Sequence, residues 1–281
     1  MRTRPPLART SVRDALDSAV IALGAAGCET PRLDAEVLLA AAMGVSRAAI
    51  VANPSAELEP DHAWQFAEWA RRRRSREPVA YILGVKGFRR IDLEVDRRVL
   101  IPRPETEHLV EAALELPSGA RVVDVGTGSG AVALALKDER PDLEVIATDA
   151  SPDALDVARA NARRLGLDVT LLEGDLLAPV AGPVDAVVSN PPYVAEEERA
   201  RLPADVIGHE PGEALFAGAD GLDLIRRLIP AAAALGARVV ALEVGWTQAP
   251  AVAELLSAAG FAETAIVADL AGIDRVVVGR R

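Results

Sequence analysis

The chain has 281 residues, half of them hydrophobic and 26% charged, a globular composition with room for two domains and a sizeable core. Its single cysteine, Cys28, excludes an internal disulfide and a cysteine-built metal cluster and suits a reducing compartment, while His62, His108 and His209 are too scattered to form a ligand set, so no metal is expected. The net charge of −11 is uneven: residues 1–83 hold 11 basic and 10 acidic residues and the other 198 hold 20 and 32, which makes the larger part a poor non-specific match for a nucleic acid backbone. Met1-Arg-Thr-Arg-Pro-Pro6 lacks the apolar core of a signal peptide and no uncharged run has the length of a membrane span, so a soluble cytoplasmic protein is expected.

In chain order, residues 11–75 read as helices. Thr10 or Ser11 caps a helix that Gly27 ends; Pro31 stands near the start of a second, with Leu33, Val37, Leu38 and Ala41 at helical spacing and Gly44 as its stop. A short piece follows from Ser46 to Val51, and another helix opens at Pro60 or Asp61 with Trp64, Ala67 and Ala70 on one face. This predicts a small helical bundle over 1–83. Its one strongly basic run, Arg71–Arg74 with Arg76, is either a solvated helix end complementing the dipole or a contact for an acidic or RNA-bearing partner. A turn of helix before Gly84 leads into Phe88, Ile91, Leu93 and Val95 in partial alternation, read as a β-hairpin within a linker over 84–104 that ends in the proline-fixed segment around Pro102 and Pro104.

Beyond a helix at about 105–116 the pattern alternates. Strands are predicted at 121–125, 144–148, 168–172, 184–189, 238–243, 263–267 and 275–279, with helices near 130–140, 151–165, 222–235 and 248–259. The expected fold is α/β: a doubly wound, Rossmann-like, seven-stranded and mostly parallel sheet with an antiparallel strand near its end, over residues 105–281. The loop at 194–221 is long, charged and Gly-rich, and such loops in compact domains are usually functional.

Two stretches carry chemistry. Val184–Ser189 is a short apolar run that Asn190-Pro191-Pro192-Tyr193 stops abruptly, because neither proline can donate to a ladder. This puts a rigid turn at the carboxyl end of a strand, where open α/β sheets bind ligands. The Asn190 carboxamide oxygen and the Pro191 carbonyl are two neighbouring acceptors, Pro192 stiffens them, and Tyr193 adds a ring and a hydroxyl: a clamp for a planar NH2 group. The other stretch, Asp124-Val-Gly126-Thr127-Gly128-Ser129-Gly130, is a strand end, a Gly-rich turn and a helix start. Asp149, some twenty residues on at the next strand end, suits ribose hydroxyls, and Asp175 with Leu176 after the third strand borders a base; capping is the competing use of both acids. With no basic residue in the Gly turn the ligand expected there is a nucleoside without pyrophosphate, such as S-adenosylmethionine, with Asn190 also facing it.

Asp124–Gly130 resembles motif I of the class I S-adenosylmethionine-dependent methyltransferases, and Asn190–Tyr193 resembles the motif of members that methylate amino groups. Glu77–Gly84, Leu100-Ile-Pro-Arg-Pro-Glu-Thr-Glu107, Glu210-Pro211 with Ala214-Leu215, Asp220-Gly-Leu222 and Asp274-Arg275 further resemble the release factor glutamine methyltransferases of the HemK/PrmC type, over nearly the whole chain from residue 11. The resemblance implies transfer of a methyl group from S-adenosylmethionine, leaving S-adenosylhomocysteine, to the side-chain amide nitrogen of the Gly-Gly-Gln glutamine in class 1 peptide chain release factors. It implies Asn190, Pro191 and Tyr193 as catalytic residues; the helical N-terminal domain is expected to recognise the substrate, and a monomer is expected, with no membrane or direct nucleic acid partner. The alternatives are an adenine-specific DNA or RNA amino-methyltransferase, which would need basic channel walls for base flipping, and a non-catalytic cofactor-binding scaffold.

Overall fold

The computed structural model describes residues 10–281, so the Met1–Pro6 stretch lies outside the described residues. In chain order the elements are α1 (Val12–Ala25), α2 (Pro31–Met43), α3 (Arg47–Ala52), α4 (Pro60–Arg74), α5 (Val79–Leu83), β1 (Val85–Phe88), β2 (Ile91–Glu94), α6 (Glu107–Leu114), β3 (Arg121–Val125), α7 (Ala131–Glu139), β4 (Glu144–Asp149), α8 (Pro152–Leu165), β5 (Thr170–Glu173), β6 (Ala186–Ser189), α9 (Ala204–His209), α10 (Asp223–Ala234), β7 (Val239–Glu243), α11 (Ala249–Ala258), β8 (Glu263–Ala268) and β9 (Asp274–Arg280). Among the described residues no helix is long and apolar enough to cross a membrane. The chain forms two compact units: one runs up to Gly84 and takes in Pro203–His209, the other holds Val85–Leu202 and Glu210–Arg281.

In the first unit local chemistry sets the helix ends. Ser11 caps α1 by accepting the Asp14 N–H at 3.1 Å, Ser46 caps α3 in the same way through Ala49, Pro31 and Pro60 open α2 and α4, and Gly44 closes α2 at φ +64°. Leu16, Leu23, Leu38, Leu39, Ile50 and Phe66 form the shared core. The basic run at the end of α4 matches neither reading in full. Arg71 pairs with Glu68, Arg72 makes a two-pronged contact with Glu77, and Arg76 pairs with Asp205. Arg73, buried, donates from Nε to Asp34 at 2.7 Å and from Nη1 to Asp205 at 2.6 Å. Partners far away in the chain turn Arg73 and Arg76 inward, because a buried guanidinium is tolerated only when carboxylates and carbonyls satisfy its fixed fork.

The second unit contains, among the described residues, a seven-stranded sheet in the order β5-β4-β3-β6-β7-β9-β8, with β5 through β7 parallel and β9 antiparallel to both its neighbours. The central strands β3, β6 and β7 are apolar without alternation because both faces are covered; Val122, Val123, Val187, Val188, Val240 and Leu242 are buried. Connections run outward one way from β3 through β4 to β5 and the other way from β6 to β7, so the order reverses between β3 and β6. That switch point is where such sheets open a crevice at their carboxyl ends. The hairpin β1–β2, anticipated as part of a linker, belongs to this unit: Phe88 and Leu93 are buried. Buried Asn161 of α8 accepts the Glu94 N–H at 2.7 Å and donates to the Glu94 and Ser129 carbonyls, each at 3.0 Å.

Candidate functional site

At the β3 exit, Gly126 (φ +73°) and Gly128 (φ +56°) sit in the left-handed region that favours glycine. A Cβ at either would stand in open space, and both residues line a cavity at the switch point, so their bare backbones form a concave floor. The turn is held from beneath. The Gly126 and Thr127 N–H groups both donate to the Thr148 carbonyl, at 2.8 and 3.0 Å, and the Asp124 carboxyl accepts the Thr127 hydroxyl at 2.6 Å and the Ala133 N–H at 3.1 Å. Burial pushes the Asp124 carboxyl up to about 7. Three residues expected at the cofactor therefore do not line the cavity. Thr127 is buried with its hydroxyl committed to Asp124. Ser129 is buried and its carbonyl receives Asn161. Gly130 is a packing glycine, since a Cβ there would come within 2.8 Å of Leu134 Cδ1.

Asp149, at the end of β4, lines the cavity and is also a cap. Its Oδ2 accepts the Gly128 N–H and its Oδ1 the Ser151 N–H, both at 2.9 Å, so one side chain ties the Gly turn to the start of α8. Burial raises its pKa, opposed by those N–H bonds and reinforced by the charge of Glu213. A carboxylate has lone pairs beyond those two contacts, so the capping and ligand-binding readings are compatible. Asp175 and Leu176 also line the cavity. Leu176 holds φ +49° and its carbonyl receives the Thr148 hydroxyl at 2.8 Å; the exposed Asp175 carboxylate pairs with Arg227.

The opposite wall is Asn190, Pro191 and Pro192, directly after β6. The buried Ser189 hydroxyl donates to the Val125 carbonyl at 2.6 Å, locking the end of β6 to the end of β3 and so the second wall to the first. Asn190 donates from Nδ2 to Thr106 Oγ1 at 3.1 Å, Thr106 donates to Glu243 Oε2 at 2.7 Å, and Tyr193 donates to Glu243 Oε1 at 3.2 Å. Glu243 is buried, which pushes its carboxyl up to about 7, and burial beside it holds the Tyr193 phenol well above its ordinary pKa. Tyr193, whose ring is expected to pack on the flat amide, is absent from the cavity lining, and its hydroxyl donates to the buried carboxyl at the end of β7.

The remaining walls include residues that the motif reading quoted without assigning to the site. Arg98, Val99 and Leu100 close one side, and Pro211, Glu213 and Ala214 another. Buried Glu210 joins these segments, accepting the Ile101 N–H at 3.2 Å and pairing with the Arg103 guanidinium. The signal available was the proline-fixed Leu100–Glu107 stretch and the Glu210-Pro211 pair; their juxtaposition across more than a hundred residues was not in the spacing.

A doubly wound sheet with this strand order, a Gly-rich turn after its first strand, an acid at the end of the second and Asn-Pro-Pro-Tyr after the fourth defines a class I methyltransferase. The chain matches the PrmC N-terminal domain over residues 14–84 and the methyltransferase small domain over 105–228. It is 45% identical to the release factor glutamine methyltransferase of Moorella thermoacetica over 280 residues, 96% of this chain and 99% of the relative. Among solved structures it is 34% identical to the release factor-specific protein-(glutamine-N5) methyltransferase of Alicyclobacillus acidocaldarius, with 67% of this chain and 98% of that one covered and a TM-score of 0.41. A 16S rRNA methyltransferase of T. thermophilus, solved with AdoMet and guanosine, shares the fold at 18% identity and TM-score 0.51 over 70% of this chain and 49% of that one. The chain belongs to the release factor glutamine methyltransferase family.

Proposed function

We propose that this chain transfers the methyl group of S-adenosylmethionine to the side-chain amide nitrogen of the glutamine in the Gly-Gly-Gln motif of a class 1 release factor. The observation that carries the reading is one cavity lined by Gly126, Gly128 and Asp149 on one side and by Asn190 and Pro191 on the other, two neighbouring residues whose carboxamide oxygen and carbonyl are amide-type acceptors. The walls fit the cofactor: Gly126 and Gly128 leave space that a Cβ would fill, and Asp149 keeps acceptor capacity for ribose hydroxyls. Leu176 supplies an apolar edge for a base, with Asp175 beside it. S-adenosylmethionine, when bound, supplies an electrophilic methyl group on a sulfonium.

The protein's own task is orientation. An amide nitrogen is a poor nucleophile because its lone pair is delocalised into the carbonyl. Asn190 Oδ1 and the Pro191 carbonyl accept its two N–H groups, fix the direction of the nitrogen and stabilise the positive charge that grows as it pyramidalises. The prolines keep both acceptors from swinging away. No strong base is required beforehand, since the proton leaves to water after transfer. A single glutamine offers little surface for recognition, so selectivity for a folded protein needs a wider contact, and the helical unit is our candidate for it. The adenine-methylating reading is less favoured, because the nearly full-length relatives carry the release factor name and the unit holding the site is the acidic part of the chain.

The deciding experiment incubates the protein with labelled S-adenosylmethionine and, separately, release factor, its Gln→Ala variant in the Gly-Gly-Gln motif, and DNA or RNA. Label on the intact release factor alone is expected. Label on nucleic acid, or undiminished label on the Gln→Ala variant, would overturn the reading.

A further inference from the structure

We propose that Glu243 and Thr106 are positioning residues that select which end of the Asn190 carboxamide faces the cavity. The inference rests on the reading above, that Asn190 holds the methyl-accepting amide. Glu243 is the last residue of β7, one register step beyond the Ser189–Leu242 pair, and buried. Thr106, also buried, ends the turn that Pro104 opens. Three hydrogen bonds connect them to the site: Thr106 to Glu243 at 2.7 Å, Tyr193 to Glu243 at 3.2 Å and Asn190 Nδ2 to Thr106 at 3.1 Å.

Donor and acceptor counting gives this chain a direction. In its ionised form the Glu243 carboxylate only accepts, so both hydroxyls then point their protons at it. Thr106 has one proton, and once it is committed the oxygen can offer only lone pairs to its other neighbour. Asn190 must then turn its NH2 toward Thr106, which leaves Oδ1 on the other side of the carboxamide. The reverse rotamer would set a carbonyl oxygen against a Thr106 lone pair and present NH2 to the incoming amide, donor against donor. Asparagine alone cannot make this choice, because its two ends are nearly the same size. A buried carboxyl is costly on a strand that an apolar residue would fill better, so its presence calls for a use. This also gives the Pro104–Thr106 turn a role: it delivers one hydroxyl to a fixed point between β6 and β7.

The test uses full-length protein, purified release factor and labelled S-adenosylmethionine, with S-adenosylhomocysteine binding followed by calorimetry. Thr106→Val keeps the shape and removes the hydroxyl; it should lower kcat on the order of 10²-fold, the cost of a displaced reacting group, with S-adenosylhomocysteine affinity unchanged. Thr106→Ser should recover most of that loss. Glu243→Gln, whose amide can donate to Thr106 and free the Thr106 proton for Asn190, should lower kcat without affecting S-adenosylhomocysteine binding. In an Asn190→Ala background, adding Thr106→Val should cost nothing further, as expected for residues acting through one group. The inference is overturned if Thr106→Val is fully active, if Thr106→Ser is as poor as Thr106→Val, if Thr106→Val loses S-adenosylhomocysteine binding, or if its cost is the same without Asn190. Asn190→Ala measured alone separates the failures: if it is inactive while Thr106→Val is fully active, only the relay falls; if it is active, the clamp falls and the relay with it.

Discussion

The two walls of the cavity are made of different material. On the Gly126 side main-chain groups do the holding: the turn hangs from the Thr148 carbonyl, and Asp149 works through backbone N–H groups of Gly128 and Ser151. On the Asn190 side a relay of side chains does it, from Asn190 to Thr106 to Glu243. A backbone-held wall spreads its stability over many bonds, and changing one side chain there weakens binding by degrees. A relay has no redundancy, so the loss of one member should affect rate abruptly while leaving the fold standing.

The largest effect is expected at the end of the relay. Asn190→Ala should reduce the rate of release factor methylation by ~10²–10³, the usual cost of losing one oriented polar group, with S-adenosylhomocysteine affinity largely kept. Near wild-type turnover by this variant would erase the contrast between the walls. Next comes the pH dependence that Glu243 imposes. Its carboxyl is raised from 4.5 to about 7 in the folded protein, so the protonated form contributes stability that is complete below pH 4.5 and is lost as pH rises through about 7. Glu243→Gln lacks that titration. Denaturant unfolding at pH 5 and pH 8 should show wild type losing about 2.5 kcal/mol relative to Glu243→Gln over that interval. Parallel pH curves for the two proteins would mean that Glu243 titrates as it does in the unfolded chain.

Smaller again is Asp149→Ala. A charged acceptor contributes about 1.5–3 kcal/mol, and here two backbone N–H groups also lose their partner, so S-adenosylhomocysteine affinity should fall toward the upper part of that range. Calorimetric titration decides it, and unchanged affinity would leave Asp149 as a cap only. The smallest effect is expected from Arg74, which lies outside the ion pairs that hold Arg71, Arg72, Arg73 and Arg76. If the helical unit meets the substrate through this helix end, Arg74→Glu should slow association modestly, and more at low salt than at high. A salt-independent rate equal to wild type would remove Arg74 from the recognition surface.

What could be read in advance follows the range of the physics involved. Asn190-Pro191-Pro192 was legible because two prolines after a β-branched run can only be a strand end, and the switch point then puts them at the crevice. Gly126 and Gly128 were legible as floor, but the same spacing could not say that Thr127, Ser129 and Gly130 look the other way. That is decided by Asp124, whose buried carboxyl needs the Thr127 hydroxyl, and by Leu134 packing on Gly130. Glu243 ends an apolar strand and gives no local sign of Thr106 far earlier in the chain. The arginines of α4 looked solvent-bound or partner-bound because Asp34 and Asp205, which bury Arg73, lie 39 and 132 residues away.

The short helix containing Asp205 bears on modularity. The chain passes between the two compact units after Gly84, passes back after Leu202, and crosses once more after His209. The helical unit is therefore not a cassette that one cut at its boundary can free. Starting the chain near Gly84 would leave Asp205 without Arg73 and Arg76, inside the same loop that begins at Tyr193 and returns through Glu210 to the cavity wall. Such a fragment would lose two things at once, the helical surface and the tether of a site loop, so its inactivity could not be charged to recognition alone. In lineages that recombine domains, this unit and its methyltransferase partner should travel together, because a graft that moves the stretch up to Gly84 without residues 203–209 deprives buried Arg73 of Asp205, one of its two carboxylates.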